Sequence, residues 1–120
     1  MGLLFNLISH NLTKTFKHKA NLIEVLKNIT QIFYAQKTYA IMGSSGTGKS
    51  TLMHLLTGLD QSTSGTVMLG EQKLDILAPQ QRAQAIGFVS QNPYFIAELC
   101  VLENIILAGT IVGKTEQESK

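Results

Sequence analysis

Only one cysteine, Cys100, occurs in the 120 residues, so no disulfide can close within the chain, which suits a reducing compartment. No run approaches the roughly 18 apolar residues that a membrane-crossing helix needs, so no membrane insertion of its own is expected. The opening residues, Met1 to Phe5, carry no basic segment before Asn6 interrupts them, which argues against a secretory leader. Lys and Arg outnumber Asp and Glu by ten to eight, too slight an excess to predict a nucleic-acid partner. Internal repeats and low-complexity tracts are missing as well. What is present, 44% apolar and 15% charged residues over 120 positions, suffices to bury the core of one small domain but not of two.

The charge is unevenly placed. Residues 1–57 hold Lys14, Lys17, Lys19, Lys27, Lys37 and Lys49 against Glu24 alone, a balance of +5, whereas residues 58–120 carry −3. An anionic ligand would find its field in the first half. Solvated lysines along strand edges would give the same pattern.

Hydrophobic patterning gives a coarse order of elements. Leu3 to Leu12 alternates loosely as a first strand, Lys14 to Ala20 reads as a basic turn-like stretch, and Ile23 to Phe33 reads as a strand bent near Asn28. Thr38 to Met42 is short, apolar and β-prone, the appearance of a buried parallel strand. Lys49 to Leu59 places Leu52, Met53, Leu55, Leu56 and Leu59 at helical spacing, with Gly58 as the stop. Gly65 to Leu69 is a further strand closed by Gly70. Asp75 to Ala85 reads as a short helix around Pro79, Ile86 to Ser90 as a second buried strand, Pro93 as a break, and Val101 to Ala108 as a helix. Gly113 to Lys120 is a polar tail, expected to fray. His10, His18 and His54 lack metal-ligand spacing, and His54 is expected to be a partly exposed helical residue. Met42, Met53 and Met68 read as core filler.

Residues 43–50, Gly-Ser-Ser-Gly-Thr-Gly-Lys-Ser, match G-x-x-x-x-G-K-[ST]. Glycines allow the positive φ values that turn successive backbone N–H groups inward around an anion. A helix beginning near Lys49 aims its unpaired donors and positive dipole end at the same place. In this pattern Gly43, Ser44, Ser45, Gly46, Thr47 and Gly48 form the cradle, and Lys49 supplies a mobile charge for the β- and γ-phosphates. Ser50 offers a hydroxyl to Mg²⁺, and Thr51 donates on the α-phosphate side.

Three stretches together resemble the ATP-binding subunit of ABC transporters, with wording most similar to the lipoprotein-releasing and macrolide-exporter branch. They are Gly43 to Leu52; Leu59-Asp60 followed by Thr63-Ser64-Gly65; and Ile86-Gly87-Phe88-Val89-Ser90-Gln91 followed by Glu98 to Asn104. The resemblance covers residues 4–109. It implies an α/β fold, a P-loop NTPase core of ABC ATPase type with an antiparallel β portion, here truncated. It also implies ATP and Mg²⁺ as cofactors. Gln91 would sit in the Q-loop, positioning Mg²⁺ and the attacking water, with Lys49 beside it in the catalytic set. Phe16 would stack on adenine where the family usually has tyrosine, although a core position would equally suit a phenyl ring. Cys100 replaces the family's usual threonine and is expected to pack as a small apolar group. The surface around Asn92 to Leu102, with Phe95, Ile96 and Leu99, would meet a transmembrane permease subunit. A second ATP-binding subunit would be the other partner, and the location would be cytoplasmic, peripheral at the inner face of the cell membrane.

Some of the family's parts have no counterpart in these 120 residues. No apolar strand ends in Asp-Glu, no Leu-Ser-Gly-Gly-Gln occurs, and no switch histidine follows a late strand. Hydrolysis needs carboxylates to hold Mg²⁺ and to orient water. The expectation is therefore an N-terminal part of one nucleotide-binding domain, residues 1–120, that binds ATP·Mg without turnover by itself. Two alternatives stay open: a remnant of a split gene that binds little, and another P-loop NTPase. A GTPase would require Asn-Lys-x-Asp and Asp-x-x-Gly, and neither string occurs.

Overall fold

β1 (Leu7–His18) and β2 (Asn21–Phe33) pair antiparallel from Leu7↔Phe33 to His18↔Asn21, closing through Lys19, whose φ is +54°. The computed structural model describes residues 5–92, 94–115, 117 and 118. They fall into two compact units, Met1–Leu77 and Ala78–Lys120.

In the first unit β3 (Ser64–Leu69) pairs with the other side of β1, and β4 (Gln72–Lys73) turns back on β3, giving an antiparallel sheet in the order β2-β1-β3-β4. The stretch Lys14–His18, which reads as a turn, is strand instead. Its run of Lys, Thr, Phe, Lys and His lacks a clear apolar alternation, but ladder pairing with Asn21–Leu26 holds it extended while the basic side chains beyond Lys14 stay exposed. The bend near Asn28 is present: Asn28 has φ +49°, and its N–H donates to Thr13 Oγ1 at 3.0 Å, a side-chain partner at an irregularity in the ladder. The proposed first strand begins on Leu3 and Leu4, which lie outside the described residues.

α1 (Lys49–Leu56) ends three residues before the predicted limit. Gly58, at φ +74°, donates to Leu55 O (3.2 Å) and Leu59 donates to His54 O (2.9 Å), the paired bonds of a Schellman stop. α1 packs against β1 and β2. Leu12, Leu26, Leu55, Leu56, Val67 and Leu74 form the buried core, drawn from β1, β2, α1, β3 and a 3-10 turn at Leu74–Ile76.

In the second unit α2 (Pro79–Ala85) starts with Pro79 in its first turn, where a missing N–H costs nothing. The predicted helix from Asp75 is thus split into the 3-10 turn and α2. α3 (Val101–Ile111) runs three residues past its predicted end. Gln84 Nε2 donates to Val112 O at 3.0 Å, joining α2 to the end of α3. Before α3 the chain is tied by Asn104, whose Nδ2 lies 3.2, 3.1 and 3.0 Å from the carbonyls of Ile96, Leu99 and Cys100 and whose Oδ1 accepts from Ile96 N–H at 2.9 Å. In the tail, Thr115 N–H and Oγ1 donate to Glu118 Oε2 at 2.8 and 2.7 Å, a closed turn; Glu116, Ser119 and Lys120 lie outside the described residues, as does Pro93.

Two predicted buried strands are not strands. Thr38 to Met42 and Ile86 to Ser90 join no ladder among the described residues, and Met42 is 88% and Val89 95% exposed. Their composition favours extended backbone, but a parallel strand forms only with neighbours that take its N–H and C=O groups and cover both faces. No described segment does so. For the same reason Met42 is not core filler; Met53 is exposed on α1, and only Met68 is half-buried. Cys100 is likewise exposed rather than packed, because it stands at the cap before α3.

Candidate functional site

The loop from Gly43 to Gly48 is closed on itself by side chains. Thr47 Oγ1 donates to Ser44 O at 2.8 Å, and the Lys49 ammonium reaches back to Gly43 O at 2.9 Å and Ser44 O at 2.6 Å. Those two bonds use two of the three donors of an ammonium. The lysine thus draws the Gly43 and Ser44 carbonyls to its own side, and in trans peptides the N–H groups of Ser44 and Ser45 point the opposite way.

The glycines have separate reasons. Gly46 (φ +79°) has nothing within 4 Å of where a Cβ would sit, so that side of the loop is open. Gly48 (φ +92°) caps α1 in the left-handed region, and a Cβ there would stand 2.9 Å from Val25 Cγ1 and 3.1 Å from Leu26 Cδ2. β2 is therefore the floor on which the loop turns into the helix. The first i to i−4 bond is Leu52 N–H to Gly48 O (2.8 Å), so the amides of Lys49, Ser50 and Thr51 precede the helical ladder. α1 has no side-chain cap and no acidic residue in its first turn, which leaves its positive end uncompensated. The Ser50 side chain is exposed there and Thr51 half-buried. Gly43 to Thr51 is thus one continuous feature of the first unit, suited to hold a polyanion.

Phe16 is 42% exposed on β1, paired across to Ile23, two residues from the Val25 that supports Gly48. Lys14, one of the basic residues of the first half, lies beside it: its Nζ forms an ion pair with Asp60 at 2.9 Å, donates to Gln61 O at 2.7 Å, and stands 4.9 Å from the Phe16 ring centroid. The hydrogen bond from Lys14 holds the Asp60 carboxyl below its ordinary value, aided by the Gln61 N–H. A lysine and a phenylalanine two apart in a strand share a face, the one signal in the sequence that could have linked them. Gln91 belongs to the second unit, exposed in a bend that follows residues 86–90. Phe95 and Ile96 are exposed in that unit and Leu99 is half-buried.

The sequence profile of the ABC transporter family matches residues 26–120. The chain belongs to the ABC transporter family. Among its ABC relatives, the lipoprotein-releasing system ATP-binding protein LolD of Idiomarina loihiensis is 40% identical over 114 residues, covering 91% of this chain and 50% of that protein. The LolD of Legionella pneumophila is 38% identical over 120 residues, covering 93% and 53%. Of solved ABC structures, the dimeric ATP-binding cassette MJ0796 in a post-hydrolysis state, bound to ADP and Pi, superposes with a TM-score of 0.82 at 31% identity, over 94% of this chain and 52% of that one. A second dimeric structure of MJ0796, a bacterial ABC transporter cassette, gives a TM-score of 0.83. The α/β fold with its antiparallel sheet is therefore that of part of an ABC cassette, and the chain spans about half the length of the curated relatives it matches. Among the described residues no helix is long and apolar enough to cross a membrane.

Proposed function

We propose that this chain is the Mg·ATP-binding portion of an ABC transporter ATPase subunit, with Gly43 to Thr51 as its triphosphate cradle. The observation that carries the reading is the meeting, in one loop, of the Lys49 ammonium, two glycines in the left-handed region and the uncapped start of α1. The residues present fit a nucleotide: the open side at Gly46 admits phosphate oxygens, the amides that precede the ladder donate to them, and Lys49 supplies charge. Ser50 would hold Mg²⁺ through its hydroxyl, and the chemistry the ion supplies is neutralisation of charge on the β- and γ-oxygens. Phe16 would receive the base. Gln91 would contribute its amide to the ion and the attacking water, an assignment that rests on its motif alone.

The remaining assignments follow from the family and are proposed with it. The exposed Phe95 and Ile96 would meet a transmembrane permease subunit, a second ATP-binding subunit would complete the working dimer, and the complex would lie at the cytoplasmic face of the cell membrane. By itself the chain binds without turnover, because its sequence supplies neither the carboxylate pair nor the signature loop.

The test is a thermal-shift titration of the chain with Mg·ATP, alongside Lys49→Ala and a phosphate-release assay. Stabilisation of the parent, none in the variant, and no steady phosphate release are expected. Displacement of ATP by equimolar GTP would favour another P-loop NTPase. A second reading, a remnant that binds little, draws support from the exposure of Met42 and Val89; an intact chain indifferent to Mg·ATP would establish it.

A further inference from the structure

Lys14 and Phe16 stand two residues apart in β1 and so lie on one face of the strand. Lys14 is not an ordinary surface lysine. Only 12% of its side chain is exposed, its Nζ is 2.9 Å from both carboxylate oxygens of Asp60, and it also donates to Gln61 O. The strand is fastened at the same place by Thr15 N–H to Thr63 Oγ1 (3.0 Å) and Thr63 N–H to Thr13 O (2.9 Å). A four-carbon side chain that usually samples many rotamers is here held to one, with its charge 4.9 Å from the centroid of the Phe16 ring.

The ring itself is half free. Its cation neighbour stands over one side, and 42% of the residue remains exposed to solvent. Lys14 pairs across to Leu26, whose Cδ2 lies against Gly48, so the strand pair that supports the loop also carries the ammonium and the ring.

The geometry points to Lys14, anchored by Asp60, as the positioning residue that fixes the Phe16 ring for a purine base and leaves one face to receive it. This rests on the proposed binding of a nucleotide at Gly43 to Thr51. Two physical effects follow. An ammonium over one face of a phenyl ring is attracted to its π density and restrains the ring's tilt. It also draws that density toward itself, so the far face repels an electron-rich purine less and offset stacking strengthens. Lys14 touches neither phosphate nor base; it acts through Phe16.

The experiment compares two ligands on the full 120-residue chain by calorimetry: Mg·ATP, which has a base, and Mg·tripolyphosphate, which has none. In Lys14→Met the affinity for Mg·ATP is expected to fall roughly five- to tenfold while that for tripolyphosphate stays within about twofold. Lys14→Arg, which keeps the charge and a two-pronged grip on Asp60, should restore the ratio. In a Phe16→Ala background, Lys14→Met should change the ratio no further. Equal loss of both ligands, or an unchanged ratio, would overturn the proposal, since the first marks a purely structural role and the second none. A parent chain that binds both ligands equally well would also overturn it, because the ring then contributes nothing. A parent that binds neither ligand would instead sink the nucleotide reading, and this inference with it.

Discussion

Lys49 Nζ stands 2.6 Å from the carbonyl oxygen of Ser44, so the first residue of α1 closes the loop that precedes it. One side chain shapes the loop and, in the proposed function, supplies its charge. Replacing Lys49 by Met removes two charge-assisted bonds, to Gly43 and Ser44, together with the counter-charge for a polyanion. The expected result is a fall in Mg·ATP affinity of about 10- to 100-fold, measured by calorimetry, with a smaller loss of thermal stability.

Gly46 and Gly48 separate two roles that glycine plays in the same loop. Both need positive φ, but only Gly48 would drive a Cβ into Val25 and Leu26. Gly48→Ala should therefore destabilise the chain by about 2 to 4 kcal/mol, combining backbone strain with overpacking, and Gly46→Ala by about 1 to 2 kcal/mol from strain alone. Urea melts of the two variants give the order directly.

The Lys14–Asp60 pair predicts a pH dependence. Because the folded state holds the Asp60 carboxyl below its ordinary value, its contribution is complete above the unfolded pKa of about 3.9 and is lost as pH falls through the lower folded value. The carboxylate is 38% exposed, so the contribution is at most about 1 kcal/mol. The difference in melting temperature between the parent and Asp60→Asn, followed from pH 6 down to about pH 3, should shrink below pH 4.

In the second unit Asn104 holds the turn before α3 as donor and acceptor at once. Asn104→Asp would set an anionic oxygen against the carbonyls of Ile96, Leu99 and Cys100 in place of an amide donor. Hydrogen exchange at residues 96–100 is expected to quicken by about tenfold or more, at a cost of about 1 to 3 kcal/mol.

The sequence was most legible where structure is local. The loop's glycines, the start of α1 at Lys49, the Gly58 stop and the bend at Asn28 all depend on backbone preferences of a few adjacent residues. It was least legible where an element depends on a distant neighbour. Thr38 to Met42 has the composition of a strand but no described partner, and Lys14 to His18 looks like a turn until β2 pairs with it. Consequently the loop and the helix after it are present, while the strand expected before it is not. The Lys14–Asp60 contact joins residues 46 apart, a separation that periodicity does not reach.

Backbone ¹⁵N–¹H spectra recorded during a Mg·ATP titration decide whether the amides of residues 43–51 converge on a triphosphate. The Gly46, Gly48, Lys49, Ser50 and Thr51 amide signals are expected to shift most, to saturate together and to cease responding in Lys49→Ala. Shifts confined to other residues, or none at millimolar nucleotide, would mean that this loop does not hold the triphosphate.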